Sequence, residues 1–230
     1  MVKNEILEKT LLLVPTYNEG NELNKTLEDL RRYFPNILLI DDGSTDQSIS
    51  KTNLSNIYLI KHLINLGQGR SLETGFKFFL KNINYHYLIT FDSDGQHRPK
   101  DALKMLTYLK NNNFDFVLGS RFIKNNNIYI PLLKKIILKI GVLFENYRSK
   151  LKLTDAHNGL RLLNRKAVAS LIPIKCSRMA HASEIVYKLG NSKLKGSEYP
   201  VTIIYKNKKS QSPLNFMKIL FEIYLNEYLR

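Results

Sequence analysis

The chain has 230 residues, is 43% hydrophobic and carries one cysteine, Cys176, so it can bury one substantial core and cannot form an internal disulfide, which fits a reducing compartment. A formal charge of +15 favours anionic partners: nucleotides, nucleic acid or an anionic membrane surface. The apolar stretch Leu11-Leu12-Leu13-Val14 is too short for a signal peptide, and no window of about 18 uncharged apolar residues exists, so no leader and no transmembrane span are expected.

Residues 11–14 predict a first strand, and residues 23–33 a helix with Asn21 as its cap. A strand over 37–40 runs into Asp41-Asp42-Gly43-Ser44, and another covers 57–60. The turn Gly67-Gln68-Gly69 leads into a helix over 70–80. A strand over 87–91 precedes a helix over 99–109 with Pro99 in its first turn, and a strand over 114–118 follows. This alternation implies a mostly parallel sheet covered by helices, with right-handed crossovers.

The second half changes character. Leu132, Leu133, Ile136, Ile137, Ile140, Leu143 and Phe144 follow helical spacing, with Lys134, Lys135 and Lys139 on the opposite side. That pattern is a basic amphipathic helix, suited to packing on a core or to lying on a membrane surface. Residues 121–152 hold eight Lys/Arg and one Glu, a net +7. A strand over 201–205, a basic loop over 206–212 and a second amphipathic helix over 214–229 complete the chain.

Three polar clusters follow three predicted strands: Pro15-Thr16-Tyr17-Asn18-Glu19, Asp41-Asp42-Gly43-Ser44-Thr45-Asp46 and Asp92-Ser93-Asp94-Gly95-Gln96-His97. In a parallel sheet all three land on the carboxyl rim, where open α/β folds bind ligands. Asp92, Asp94 and Gln96 are hard oxygen donors suited to Mg²⁺ or Mn²⁺. An EF-hand is excluded, because Gly95 falls at the fourth loop position and Leu103 replaces the bidentate Glu. The segment Asn65-Leu66-Gly67-Gln68-Gly69-Arg70 lacks Gly-Lys-Ser/Thr and so is no P-loop; it is either a tight turn or a ligand contact. Arg121, in Gly119-Ser120-Arg121, is either a cation that pairs with a diphosphate oxygen or an ordinary surface arginine.

Taken in order, Pro15-Thr16-Tyr17-Asn18-Glu19, Asp41-Asp42-Gly43-Ser44-x-Asp46, Asn65-x-Gly67, Asp92-x-Asp94-Gly95-Gln96-His97 and Gly119-Ser120-Arg121 resemble the family 2 glycosyltransferases over roughly residues 9–205. The likeness is to the dolichyl- and polyprenyl-phosphate mannose or glucose synthase branch. It implies the GT-A α/β fold, a nucleotide-diphosphate sugar donor such as a UDP- or GDP-sugar, a divalent metal and inversion at the anomeric centre. By the same resemblance Pro15, Tyr17, Glu19, Asp41 and Asp42 hold base and ribose. Asp92, Asp94 and Gln96 bind metal and diphosphate, and Arg121 faces the phosphates. Asp155-Ala156-His157-Asn158-Gly159-Leu160-Arg161 and Met179-Ala180-His181-Ala182-Ser183-Glu184 stand in the acceptor half, with Leu160 and Ala182 replacing the usual Phe residues.

The resulting expectation is one GT-A domain over 1–212, divided into a nucleotide-sugar half (1–122) and an acceptor half (123–212), with a C-terminal amphipathic helix over 213–230. The acceptor is a polyprenyl-phosphate, lipid-linked or saccharide group used in cell-envelope glycan synthesis. Glu184 and Asp155 are the candidate bases for a hydroxyl acceptor, with Asp94 the third catalytic candidate. The protein is expected on the cytoplasmic face of the inner membrane, attached peripherally. A sugar-phosphate nucleotidyltransferase is disfavoured because the first strand leads into Thr16-Tyr17-Asn18-Glu19 rather than a basic glycine-rich loop. A nucleic-acid-binding module is disfavoured because no basic motif with interleaved aromatics is present.

Overall fold

A computed structural model describes residues 2–123, 132–155 and 157–204. In chain order these form α1 (Val2–Glu8), β1 (Thr10–Thr16), α2 (Asn21–Arg31), β2 (Ile37–Asp41), β3 (Ile57–Lys61), α3 (Gln68–Lys81), β4 (Tyr87–Thr90) and α4 (Pro99–Asn112). There follow β5 (Phe116–Ser120), α5 (Leu132–Ser149), β6 (Arg161–Asn164), α6 (Arg165–Leu171), α7 (His181–Gly190) and β7 (Gly196–Pro200). The seven strands make one sheet in the order β3-β2-β1-β4-β6-β5-β7. Every pairing is parallel except those of β6, which runs against both β4 and β5. This is the mostly parallel, helix-covered α/β sheet that the sequence leads one to expect.

Strand residues alternate between two cores, as the period of two requires. On one face Leu11, Leu13, Leu38, Ile40, Leu88 and Leu118 pack under Leu72, Phe76 and Phe79 of α3 and under α6 and α7. On the other, Leu12, Val14, Leu39, Ile89 and Val117 pack under Leu23, Leu27 and Leu30 of α2 and Met105, Leu106 and Leu109 of α4. With both faces covered, β1 and β2 are buried along their whole length. That is why they read as continuous apolar runs.

The expected elements of the first half are present with ends shifted by a few residues, and several differences have physical causes. Asn21 is the first helical residue of α2 rather than its cap; Gly20 occupies the cap with φ 57°, a backbone conformation glycine tolerates best. Within the strand expected over 201–205, the described residues 201–204 form no strand. The outer pairing partner of β5 is the more polar β7, while Ile203 makes only an isolated antiparallel bridge to His97. The helix expected to end at Phe144 continues to Ser149. The expected helix over 214–229 lies outside the described residues.

The topology fixes the site. Strand order reverses at β1, whose neighbours are β2 and β4, and their carboxyl ends open a crevice there. Because β6 is antiparallel, its first residue, Arg161, sits beside Thr90 on the same rim.

Candidate active site

Each loop on this rim is tied to the next by a polar side chain. Asn18, held at φ 53°, accepts hydrogen bonds through Oδ1 from Thr45 N at 2.8 Å and Asp46 N at 3.2 Å, while its own N–H donates to Ser44 Oγ at 3.1 Å. Asp46 in turn accepts from Gly20 N at 3.1 Å. The loops after β1 and β2 are thereby laced together. Asp42 accepts from Leu66 N at 3.0 Å, Gly67 N at 2.8 Å and His62 Nδ1 at 2.7 Å, and so fixes the loop after β3. An acceptor on that side places the His62 proton on Nδ1, which leaves Nε2 to accept from Thr74 Oγ1 at 3.0 Å.

The loop after β4 carries Asp92 and Asp94. Asp92 accepts from Gln68 Nε2 at 3.1 Å and from His97 Nε2 at 3.0 Å. Its carboxylate lies against the bare backbone of Gly159, where an added Cβ would stand 2.1 Å from Oδ2. Burial pushes the Asp92 carboxyl up, but its hydrogen bond with His97 and the charge of Arg161 beyond hold it below the usual carboxylate range. Asp94 accepts from Gln96 N at 3.0 Å and from Gln96 Nε2 at 2.5 Å, which turns the Gln96 amide toward it.

These loops line a cavity of about 570 Å³. Pro15, Tyr17, Glu19, Asp42, Asp92, Asp94, Gln96 and Arg121 all contribute to its wall, so eight of the residues expected at a nucleotide-sugar site are brought together. Three others are placed differently. Asp41 is buried and accepts from Ser44 N at 3.0 Å, holding the turn rather than facing the cavity. Asp155 takes a two-pronged ion pair from Arg121, Nε to Oδ2 at 2.7 Å and Nη2 to Oδ1 at 2.8 Å, plus the Arg121 amide at 3.1 Å. Glu184 accepts from Lys175 N at 2.9 Å and Cys176 N at 2.7 Å and pairs with Lys188 at 2.7 Å. Neither Asp155 nor Glu184 lines the cavity. The general-base role expected of them therefore finds no support in the geometry, since their oxygens are occupied in holding backbone and cations.

Gln68, His97, His62 and Arg161 matter although sequence reasoning left them without a defined role. Gln68 and His97 orient Asp92, and His62 orients Asp42. Arg161 is buried between the charges of Asp92 and Asp155, and burial lowers it to about 10, so it stays cationic at neutral pH. His157 on the cavity wall and buried His181 are both pulled down to about 4, chiefly by burial, and are neutral. Among the described residues no cluster of three or more His, Cys, Asp or Glu side chains forms a metal shell. The donors present, two carboxylates and the Gln96 carbonyl oxygen, nevertheless match the hard-ligand chemistry of Mg²⁺ or Mn²⁺.

The sequence profile of Glycosyl transferase family 2 matches residues 12–172. The chain belongs to that family. A UDP-N-acetylglucosamine--dolichyl-phosphate N-acetylglucosaminyltransferase from Methanococcus voltae is 30% identical over 235 residues, covering 93% of this chain and 92% of the relative. An undecaprenyl-phosphate mannosyltransferase from Micrococcus luteus is 29% identical over 161 residues, 66% of this chain and 65% of the relative. Among solved structures, glucosyl-3-phosphoglycerate synthase from Mycobacterium tuberculosis in complex with Mg²⁺ and UDP superposes with a TM-score of 0.67 at 11% identity, covering 97% of this chain and 83% of that one. At that identity the likeness is one of fold.

Two outcomes follow from this geometry. Gly159→Ala drives a methyl group into the Asp92 carboxylate, so nucleotide-sugar affinity in the presence of metal should fall by tenfold or more, about 1.4 kcal/mol. Isothermal titration against wild type measures it, with an unchanged melting temperature showing that the fold is intact. The second concerns acid. With folded values near 4 against 6.5 for an ordinary histidine, the unfolded chain takes up protons first as pH drops below 6.5. Stability from His157 and His181 is therefore complete above pH 6.5 and is lost toward pH 4, by roughly 3 kcal/mol each. Urea midpoints across that window should decline in wild type and decline less steeply in His181→Asn.

Proposed function

We propose that this protein moves a sugar from a nucleotide-diphosphate sugar to a lipid-linked phosphate, with inversion at the anomeric carbon. The observation that carries the choice of acceptor is the occupancy of the two candidate bases. Asp155 is locked to Arg121 and Glu184 to two backbone amides and Lys188, and both lie off the cavity. A hydroxyl acceptor needs a base within hydrogen-bond reach. A phosphate monoester is already anionic and needs none. The dolichyl-phosphate and undecaprenyl-phosphate acceptors in the names of two relatives support the same choice.

In this reading Pro15, Tyr17, Glu19 and Asp42 hold base and ribose at the β1–β2 end of the crevice. Asp92, Asp94 and Gln96 would hold a divalent ion, which neutralises charge on the departing diphosphate. The acceptor oxygen attacks the anomeric carbon from the face opposite the diphosphate. A new carbon–oxygen bond forms as the bond to the diphosphate breaks, and the electron pair leaves with the nucleoside diphosphate. Gln68 and His97 keep Asp92 ionised and aimed, and Arg161 adds a fixed positive charge beneath the reacting centre. The two motif segments in residues 123–212 form the acceptor side.

The protein works at a membrane surface, on the cytoplasmic face of the inner membrane. None of the described helices is long and apolar enough to cross a bilayer. On α5, Ile140, Leu143, Phe144 and Tyr147 are exposed at i, i+3, i+4 and i+7, an uncovered apolar stripe on the helix expected to be amphipathic.

A thermal-shift panel of UDP, GDP and their sugars, with and without Mn²⁺, identifies the donor, because ligand binding raises stability by mass action. Asp94→Ala should abolish the metal-dependent shift without lowering the ligand-free melting temperature; chelator-insensitive turnover would refute the metal. Glu184→Gln separates the acceptor classes. Turnover should stay within a few-fold of wild type, whereas removal of a true base costs roughly 10²–10⁴.

A further inference from the structure

Three aliphatic side chains stand in water on the loop between β3 and α3: Leu63 is 100% exposed, Ile64 66% and Leu66 43%. Their backbone is held on every side. His62 N donates to Asp41 O at 2.8 Å, and Leu66 N and Gly67 N donate to Asp42. Gly43 approaches so closely that an added Cβ would lie 2.6 Å from the Ile64 carbonyl carbon. At the far end, Gly69 N donates to Ser177 O at 2.8 Å. The loop cannot fold back to hide these side chains without breaking the bonds that Asp42 accepts.

The carboxylates that meet the loop, Asp42 and Glu73, are buried, Glu73 in ion pairs with Arg70 and Lys77, so the exposed charge of the loop and its neighbour is basic. Segment 172–181 is stapled to it at Ser177, and an added Cβ on Gly67 would lie 3.3 Å from Arg178 Cγ. Segments 61–70 and 172–181 together hold Lys61, Arg70, Lys175 and Arg178 and no Asp or Glu. Met179, beside Arg178, is exposed as well. Asn65, Gly67, Arg178 and Met179 line the cavity, whereas Leu63 and Ile64 stand outside it. An aliphatic tip with basic residues in the two segments beside it is complementary to an anionic bilayer, whose headgroups attract the cations while its acyl region takes the tip. A two-fold contact with a second copy would set the same cations against each other.

We propose that the loop carrying Leu63, Ile64 and Leu66 dips into the acyl region of an anionic leaflet and sets the cavity mouth against the headgroup layer. It rests on the lipid-phosphate reading above and adds how that acceptor reaches the site: the phosphate enters from the membrane plane while its chain stays in the bilayer.

The chain has no tryptophan, so Leu63→Trp places a single indole at the tip. Full-length Leu63→Trp is mixed with vesicles of phosphatidylcholine and phosphatidylglycerol whose acyl chains carry bromine. Indole emission should shift to the blue and be quenched, and vesicles of phosphatidylcholine alone should do neither. Emission that stays water-like while the protein pellets with the vesicles, or failure to pellet at all, overturns the proposal. Blue-shifted, unquenched emission with dimerisation also overturns it, in favour of a second copy. A double change, Leu63→Ser with Ile64→Ser, should cut transfer to a vesicle-embedded polyprenyl phosphate by roughly tenfold or more. Transfer to a short, water-soluble prenyl phosphate should stay within about twofold, since neither side chain lines the cavity. If neither acceptor is used by wild type, the lipid-phosphate reading fails, and the indole emission still decides whether the loop enters the bilayer.

Discussion

One nearly sealed carboxylate governs the arrangement of the site. Asp42 accepts from Leu66 N, Gly67 N and His62 Nδ1. Those bonds set where the loop after β3 ends and where α3 begins. The next residue is Gln68, whose amide reaches Asp92. A carboxylate at the end of β2 thus aims a carboxylate at the end of β4, two strands away across the sheet. Hydrogen bonds to an ionised acceptor are roughly twice as strong as neutral ones, and leaving such a buried acceptor unsatisfied is costly. The loop has little freedom to sit elsewhere.

The acidic residues of the rim differ in how far backbone amides occupy them and in whether they line the cavity. Asp41, Asp42, Asp46, Asp155 and Glu184 hold backbone amides, and Glu198 accepts from Thr154 N and Asp155 N. Glu19, Asp42, Asp92 and Asp94 line the cavity, Asp42 and Asp94 while also accepting backbone amides. Among these, Asp92 is held charged by His97 and Arg161 despite its burial. A charged oxygen facing a cavity in this protein-rich setting is costly until a cation or a charged ligand arrives, which is the condition expected of a site built to receive a metal-bound diphosphate.

Much of this was legible in the sequence, and the misses have identifiable causes. The strands of the first half announce themselves because burial on both faces leaves continuous apolar runs such as Leu11-Leu12-Leu13-Val14, and each ends in a polar cluster. β6 escaped notice because it is four residues long with Arg161 and Asn164 at its ends, and it is the one strand inserted antiparallel. β7, Gly196–Pro200, is polar and only partly buried, so it offers none of the alternation that the β-branched Val201-Thr202-Ile203-Ile204 suggests more strongly. Within the site, residue type and strand-end position were enough to collect Asp92, Asp94, Gln96, Tyr17 and Glu19. They were not enough for Glu184 or Asp155, because a carboxylate that faces substrate and one that caps a loop look alike until their partners, Cys176 N and Arg121, are seen in space.

The central claim is that a charged rim loads a nucleotide sugar and passes its glycosyl group to a phosphate at a membrane. Its most direct test is a partition assay. The full-length protein is incubated with labelled nucleotide sugar, Mn²⁺ and a polyprenyl phosphate in anionic vesicles, and label is counted in the organic phase. The structure predicts organic-phase label that requires both the phosphate and the metal and disappears with chelator. Label that instead accumulates on a water-soluble saccharide, with none in the organic phase, would contradict it.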